Sequence, residues 1–308
     1  MAGLDILRPL FQRMAQSRRL ADVAARRGLA LGAHQFVISD TLAGALTGVR
    51  QLNERGLAVT LDNLAEGATS PLAAEQAADD YIRILEAVEA VHGQEALDVR
   101  VSVKLTGFGL AFSADDAWRN LHRVVQRAAQ LDDFVRIDME SYAFLETTLA
   151  FYQRLRDEGF ANVGIVLQAY LHRTPDDLQA LMPYRPDIRL VKGAYAEPAS
   201  RAYQQRAEIR NAFLRLAGMS LGSGNRTALA THDDLLIDPL LDWIQDRGIE
   251  RRQYEWQTLY GIRTELVGRL AAMGEPVRVY VPFGREWFPY FMRRLAERPD
   301  DLWLVLRS

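Results

Sequence analysis

Near the end of the chain two guanidiniums stand side by side, Arg293 and Arg294, with Tyr290 three and four residues before them and Glu297 four and three after. On a helix these positions share one flank, so the four side chains can meet. Two planar forks beside a carboxylate and a phenol form a holder for a small anion, because a guanidinium matches a carboxylate bidentately. The helix itself is read from Trp287, Tyr290, Phe291, Arg294 and Leu295, which recur at steps of three and four. Directly before it runs Val277–Val281, β-branched and aromatic, stopped by Pro282 and Gly284. The holder would therefore lie just past the C-terminal end of a strand. In isolation a solvated arginine pair beside a core stripe explains the pattern better, and it is the remainder of the chain that reverses this.

Seven further apolar runs precede Val277–Val281: Ala58–Asp62, Val99–Leu105, Phe134–Asp138, Val163–Gln168, Ile188–Lys192, Thr227–Thr231 and Tyr254–Gln257. Helical patterns separate them, over 71–92, 114–130, 141–158, 174–182, 198–218, 234–247 and 262–273, with a last one over 285–297. Near-continuous apolar strands alternating with helices predict parallel strands buried on both faces. Eight such units in series predict a closed (β/α)8 barrel, an α/β fold, more than an open sheet. The first strand is also followed by Asp62–Gly67, which is no glycine-rich phosphate turn. Before residue 58 the pattern is helical only, over about 4–29 and 41–54, so the chain is expected to form one domain over 1–308, with an N-terminal helical arm (1–57) and a barrel (58–308).

In such barrels the active site lies at the C-terminal ends of the strands. The polar residues at or just past these ends are Glu66, Lys104, Asp138, Gln168, Lys192, Thr231, His232, Gln257 and Tyr280. Nearly every exit carries one, more than turns require, which predicts a ring of convergent polar groups. Lys104, Arg293 and Arg294 could bring three positive charges to the mouth, with Asp138, Glu140, Glu297 and Glu66 as counter-charges. A substrate carboxylate would stabilise the cations, and Tyr280 and Leu259 could pack on a compact apolar body. A metal centre has no ligand spacing behind it, since His232 is the single histidine at a strand end. No serine sits in a nucleophile elbow. A lysine inside a barrel can form a Schiff base, so Lys104 or Lys192 leaves an aldolase or lyase open as a second enzyme reading. A barrel retained as a non-catalytic binding module is the third.

Composition narrows the field. The 308 residues contain no cysteine, which excludes disulfides and thiolate chemistry. A net charge of -3 argues against a nucleic-acid partner. No apolar run approaches a membrane span, and the N-terminus has no signal-peptide pattern, so a cytoplasmic protein is expected. Arg13, Arg18, Arg19, Arg26 and Arg27 make the first helices basic, which fits a solvated face better than an anionic surface.

Seven segments, taken together, resemble the proline dehydrogenase family. They are Val103–Thr106, Arg136–Glu140, Leu167–Tyr170, Arg189–Tyr195 followed by Glu197, Ala230–Asp233, Glu255–Gly261, and Tyr280–Gly284 with Arg293–Glu297. They fall in the family's order over about residues 58 to 300, and the length is similar to that of the monofunctional bacterial members. The loop after the first strand departs from the pattern, reading Asn63-Leu64-Ala65-Glu66 where the family often has His-Leu-Gly-Glu.

The resemblance implies a distorted barrel carrying non-covalent FAD, with the last helix over the mouth, and oxidation of L-proline to Δ1-pyrroline-5-carboxylate. It implies that Arg293, Arg294 and Lys104 hold the proline carboxylate while Tyr195, Leu259 and Tyr280 wall the ring. Asp138 and Arg189 are the implied catalytic pair, Asp138 anchoring the cationic network and Arg189 at the flavin N5 edge. Met139, Gln168, Lys192, Gly193, Ala194, Thr231, His232, Gln257 and Glu297 are the remaining implied cofactor residues. Glu66 is implied as a gate, paired with an arginine of the last helix. A quinone is the implied electron acceptor, and with it transient contact with the inner face of a membrane, for which the basic first helices are the candidate.

Overall fold

The computed structural model describes residues 33–64, 67–92 and 97–297. Eight parallel strands close into a barrel, each bonded to the next and the last to the first. They are β1 (Ala58–Asn63), β2 (Val99–Val103), β3 (Val135–Ile137), β4 (Val163–Gln168), β5 (Ile188–Val191), β6 (Thr227–Ala230), β7 (Tyr254–Leu259) and β8 (Val277–Phe283). A helix α1 (Leu42–Glu54) precedes β1. Then α2 (Pro71–His92), α3 (Ala114–Gln130), α4 (Tyr142–Asp157), α5 (Thr174–Leu181), α6 (Arg206–Gly222), α7 (Asp234–Asp246), α8 (Thr264–Ala272) and α9 (Trp287–Glu297) each follow a strand. The barrel expected from alternation is the barrel found. The helices expected over 4–29 lie outside the described residues.

Local chemistry explains the outer elements. In α3, Ser113 caps the first turn by accepting from the Asp116 amide at 3.1 Å, Asp115 and Asp116 face the positive end of the helix dipole, and Arg127 lies in the last turn. Its buried Ala117, Leu121, Val124, Val125 and Ala128 recur at helical spacing. Each such leucine or valine contributes roughly 1.5–3 kcal/mol on leaving water. One expected helix starts late: 198–205 is not helical, because the backbone of Arg201, Ala202 and Tyr203 pairs with the segment after β4 (His172 N to Arg201 O at 3.0 Å, Tyr203 N to Tyr170 O at 2.8 Å). Helix α6 begins only after Gln205 and Glu208 close a capping box.

The barrel lumen is ionic. Successive side chains of a strand face opposite ways, and here Asp62, Arg100, Ser102, Arg136, Asp138, Arg189, Glu255, Gln257, Arg278 and Tyr280 alternate with Val101, Val135, Ile137, Leu190, Trp256 and Val279, which are buried in the main apolar core. Bonds between strands that are not neighbours, such as Tyr280 to Asp138 and Arg189 to Ser102, cross the lumen. Unpaired, such charges would be prohibitive to bury, and they persist because they satisfy one another. At Gly164 on β4 even a methyl group is too much, since a Cβ there would lie 2.3 Å from Arg136 Nη1. That space lets Arg136 donate to Asp187 O at 2.6 Å and pair with its carboxylate at 2.5 Å.

The last helix leaves the pattern of the others. Its Trp287, Phe288, Phe291 and Met292 pack with Ala33, Phe36, Val37, Leu64 and Ile262 in a second apolar cluster separate from the main core. Leu64 and Ile262 follow the C-terminal ends of β1 and β7, so α9 lies over the mouth, as expected. The Ile38 amide on Pro282 O (3.1 Å) and the Gly284 amide on Ser39 O (2.9 Å) tie the 33–39 segment beneath it.

Candidate active site

A cavity of about 480 Å³ opens at the C-terminal ends of the strands, a size ordinary for a small-molecule site. Its floor is a cluster of five side chains, Asp62, Lys104, Asp138, Arg189 and Tyr280, with Ser102 bonded to it. Asp138, just past β3, accepts from Ser102 Oγ (2.7 Å) and Arg189 Nη1 (2.7 Å) on one oxygen and from the Tyr280 hydroxyl (2.8 Å) on the other. Lys104, just past β2, meets Asp62 at 2.9 and 2.8 Å, the Tyr280 hydroxyl at 3.2 Å and Asp138 at 3.5 Å. The Tyr280 ring lies 5.0 Å from the Arg189 guanidinium carbon, a cation–π contact.

These neighbours set the protonation states. Burial pushes the Asp138 carboxyl up, but Arg189, Lys104 and the bonds from Ser102 and Tyr280 outweigh it and hold the group below its ordinary value. Burial, with Asp138 and Asp62 close by, raises the Tyr280 phenol well above 10, so it stays a donor. Burial lowers Arg189, and a guanidinium still keeps its charge at neutral pH.

Of the residues expected at the site, Lys104, Asp138, Met139, Gln168, Arg189, Gly193, Ala194, Tyr195, His232, Gln257, Leu259 and Tyr280 line this one cavity. Thr231 does not line it; its hydroxyl accepts from the Asp233 amide at 3.2 Å. Lys192 turns its ammonium to Asp233, which Arg210 also meets at 2.7 Å. His232 uses Nε2 to accept from the Leu259 amide at 3.0 Å. Gln257 is not a strand exit: β7 runs on to Leu259, and the amide sits inside the lumen. Arg293, Arg294 and Glu297 belong to α9, but their side chains, like the whole of Glu66, lie outside the described structure.

Two participants were not foreseen. Asp62, 1% exposed, is the carboxylate that holds Lys104. Ser102 bridges Asp138 and Arg189. Tyr290, expected on the flank that carries the arginine pair, reaches the cavity wall from α9, the one residue of that helix that does so among those described. Asp62 and Ser102 carry a readable signal, polar residues at period two within otherwise apolar strands.

On the described wall Lys104 and Arg189 face three carboxylates, Asp62, Asp138 and Glu140. Glu140 is itself occupied by the amide and hydroxyl of Thr106, at 2.9 and 2.5 Å.

The family profile described as Proline dehydrogenase matches residues 45–301. The chain is 40% identical over 303 residues to Proline dehydrogenase 1 of Bacillus subtilis subsp. natto, spanning 98% of this chain and 99% of that protein. It is 38% identical over 280 residues to Proline dehydrogenase of Deinococcus radiodurans, spanning 90% and 89% respectively. Among solved structures, proline utilization A from Bdellovibrio bacteriovorus, inactivated by N-propargylglycine, shares the fold with a TM-score of 0.79 at 23% identity, over 86% of this chain and 32% of that longer one. With a matching profile over most of its length and near-complete alignment to monofunctional relatives, this chain belongs to the proline dehydrogenase family.

Proposed function

We propose that the protein oxidises L-proline to Δ1-pyrroline-5-carboxylate, with FAD as resident cofactor and a quinone as onward acceptor. The observation that carries this is the Lys104–Asp62–Asp138–Arg189–Tyr280 cluster at the barrel mouth of a chain 40% identical to a proline dehydrogenase along its whole length.

The residues present fit a flavin. Gln168 Oε1 is buried with no hydrogen-bond partner among the described residues, while its Nε2 faces Met139 O and Glu140 O at 3.4 and 3.3 Å. A buried acceptor without a donor is costly, and an N–H of a ring system in the cavity would satisfy it. Gly193 has φ +111°, and a Cβ there would lie 2.1 Å from the Tyr170 ring, so only glycine brings that backbone to the cavity wall. Gln168, Met139, Arg189 and the Gly193–Ala194 backbone would hold the isoalloxazine, and His232 would stand toward the adenosine side. When bound, FAD supplies the two-electron acceptor that an amine oxidation needs.

The chain's own residues do the remainder. Arg293 and Arg294 supply the positive charge that the described wall lacks, and with Lys104 they hold the substrate carboxylate. Tyr195, Leu259 and Tyr280 wall the ring. The surplus of carboxylate over cation on the described wall suits the ammonium of an incoming amino acid. Asp138 keeps Arg189 and Tyr280 in place, and the hydrophobic underside of α9 excludes water. Onward transfer to a membrane quinone would need only brief surface contact, with the basic N-terminal stretch that holds Arg13, Arg18, Arg19, Arg26 and Arg27 as the contacting part and the protein otherwise cytoplasmic. No helix among the described residues is long and apolar enough to cross a membrane.

A Schiff-base lysine needs a free amine in a desolvated or cationic setting. Lys104 and Lys192 are instead tied to carboxylates, which favours oxidation over the aldolase reading. The test is the visible spectrum of the purified protein before and after anaerobic L-proline. Yellow protein that bleaches with L-proline, and less with D-proline, is expected; a protein that stays colourless with added FAD would overturn the proposal.

A further inference from the structure

Arginine offers five N–H donors, and Arg189 uses three of them. Nε donates to Gln257 Oε1 at 2.5 Å, and Nη1 donates to Asp138 Oδ1 at 2.7 Å and Ser102 Oγ at 3.1 Å. Nη2 has no acceptor among the described residues, and Arg189 lines the cavity. The guanidinium is thus rotated so that one edge grips the floor and Nη2 alone is left for the cavity.

That rotation depends on which end of the Gln257 amide faces Arg189. An amide turned over would set NH2 against the Nε–H, donor against donor. Glu255 removes the ambiguity. Gln257 Nε2 donates to Glu255 Oε1 at 2.5 Å, and an ionised carboxylate can only accept. Glu255 is kept ionised: burial pushes its carboxyl up, but Arg278, Arg100 and Arg226 together hold it well below the usual carboxylate range. Arg278 Nε lies 3.0 and 3.2 Å from its two oxygens, and Arg226 Nη2 lies 2.9 Å away. Arg278 is fixed in turn by Val59 O at 2.7 Å and Asp98 at 2.8 Å. One line of bonds therefore runs up the lumen from the base of the barrel to the cavity floor. Glu255 is not on the cavity wall.

We infer that Glu255 is a positioning residue for the oxidation: through Gln257 it fixes which edge of the Arg189 guanidinium is presented to the cavity occupant. The inference rests on the reading of Arg189 as the cation that faces FAD. It assigns a role in the reaction to a residue at the middle of the barrel that touches neither substrate nor cofactor.

Two variants of the FAD-loaded full chain test it, Glu255→Gln and Gln257→Met. Gln257→Met keeps volume and leaves Glu255 with its arginines, so it is the safer to fold. A misplaced cation should lower kcat by about ten-fold or more, while KM for L-proline stays within about two-fold because the carboxylate contacts are elsewhere. The midpoint potential of the bound FAD, measured by chemical reduction without proline, should also fall, since a cation near the flavin favours its electron-rich state. If folded Gln257→Met keeps wild-type kcat and potential, the inference is overturned. If Gln257→Met shows both changes but folded Glu255→Gln shows neither, Glu255 has no such role. If neither variant folds with FAD bound, the pair is structural support and the assignment also fails. A wild-type protein that L-proline does not reduce would overturn the proposed function, while the potential measurement would still read the placement of Arg189.

Discussion

Lys104 holds both oxygens of Asp62, at 2.9 and 2.8 Å, across two neighbouring strands. A buried acid thus secures the one lysine of the cavity floor. Removing one member of a buried pair leaves the other uncompensated, so Asp62→Asn should cost roughly 2–4 kcal/mol of stability, somewhat less than a fully buried pair because Lys104 keeps some solvent contact. Adding Lys104→Met should recover part of that loss. Urea unfolding of the two single variants and the double variant would measure the coupling, and strict additivity would show that the pair contributes little.

Tyr280→Phe removes the hydroxyl that Asp138 accepts from and that Lys104 also meets. Losing hydrogen bonds to charged partners should destabilise by about 1.5–3 kcal/mol. Asp138 then holds Arg189 less firmly, so kcat/KM for L-proline should fall by roughly ten-fold. Because the phenol is pushed well above 10, the wild-type rate profile should show no loss of activity from this group up to pH 10. Steady-state kinetics across pH would reveal such a limb if it existed.

Arg294→Lys keeps the charge but loses the planar fork, so KM for L-proline should rise by about ten-fold or more with a smaller effect on kcat. An unchanged KM would remove Arg294 from the carboxylate.

Gly193→Ala places a Cβ into the Tyr170 ring at a backbone angle that side chains rarely adopt. The backbone strain alone is about 1–3 kcal/mol, and the wall it shapes is where FAD would lie. Purified variant protein should retain markedly less flavin than wild type, read from absorbance per mole of chain, while melting only a few degrees lower.

The acid limb of stability follows from Asp138, Asp233 and Glu255, all held below their ordinary values by neighbouring cations against the upward push of burial. A carboxyl depressed in the folded state contributes stability that is complete above its unfolded pKa, near 4, and disappears as pH falls through the folded value. Melting temperature should therefore be flat from pH 7 to about 5 and fall steeply below about 4. Glu255→Gln should make that fall shallower.

Much of the fold was legible because its signals are local and repeated. The run Val163–Gln168 and the helical patterns over 71–92 and 114–130 coincide with β4, α2 and α3. Lys104, Asp138 and Tyr280 were visible as polar residues ending apolar runs. Asp62, Ser102, Glu255 and Arg278 were harder to see because they lie within strands, where a charged residue reads as an interruption of the apolar pattern. The lumen they share exists only once the barrel closes, and their partners are distant in the chain. Pro198 to Gln205 misled for the opposite reason: its helical composition is overridden by backbone pairing with the segment after β4.

The small apolar cluster under α9 has a consequence for how the protein breathes. Trp287, Phe288 and Phe291 rest on Ala33, Phe36 and Leu64, with Leu259 packed alongside, apart from the core that stabilises the barrel. A patch of that kind can detach as a cooperative unit of its own, at much less free energy than global unfolding. Amides of 36–38 and 287–292 should then exchange with solvent well before those of β1 and β8, and a ligand in the cavity should slow them. Substrate admission and the softest opening of the native state would be a single event, with its rate written into a few aromatic side chains.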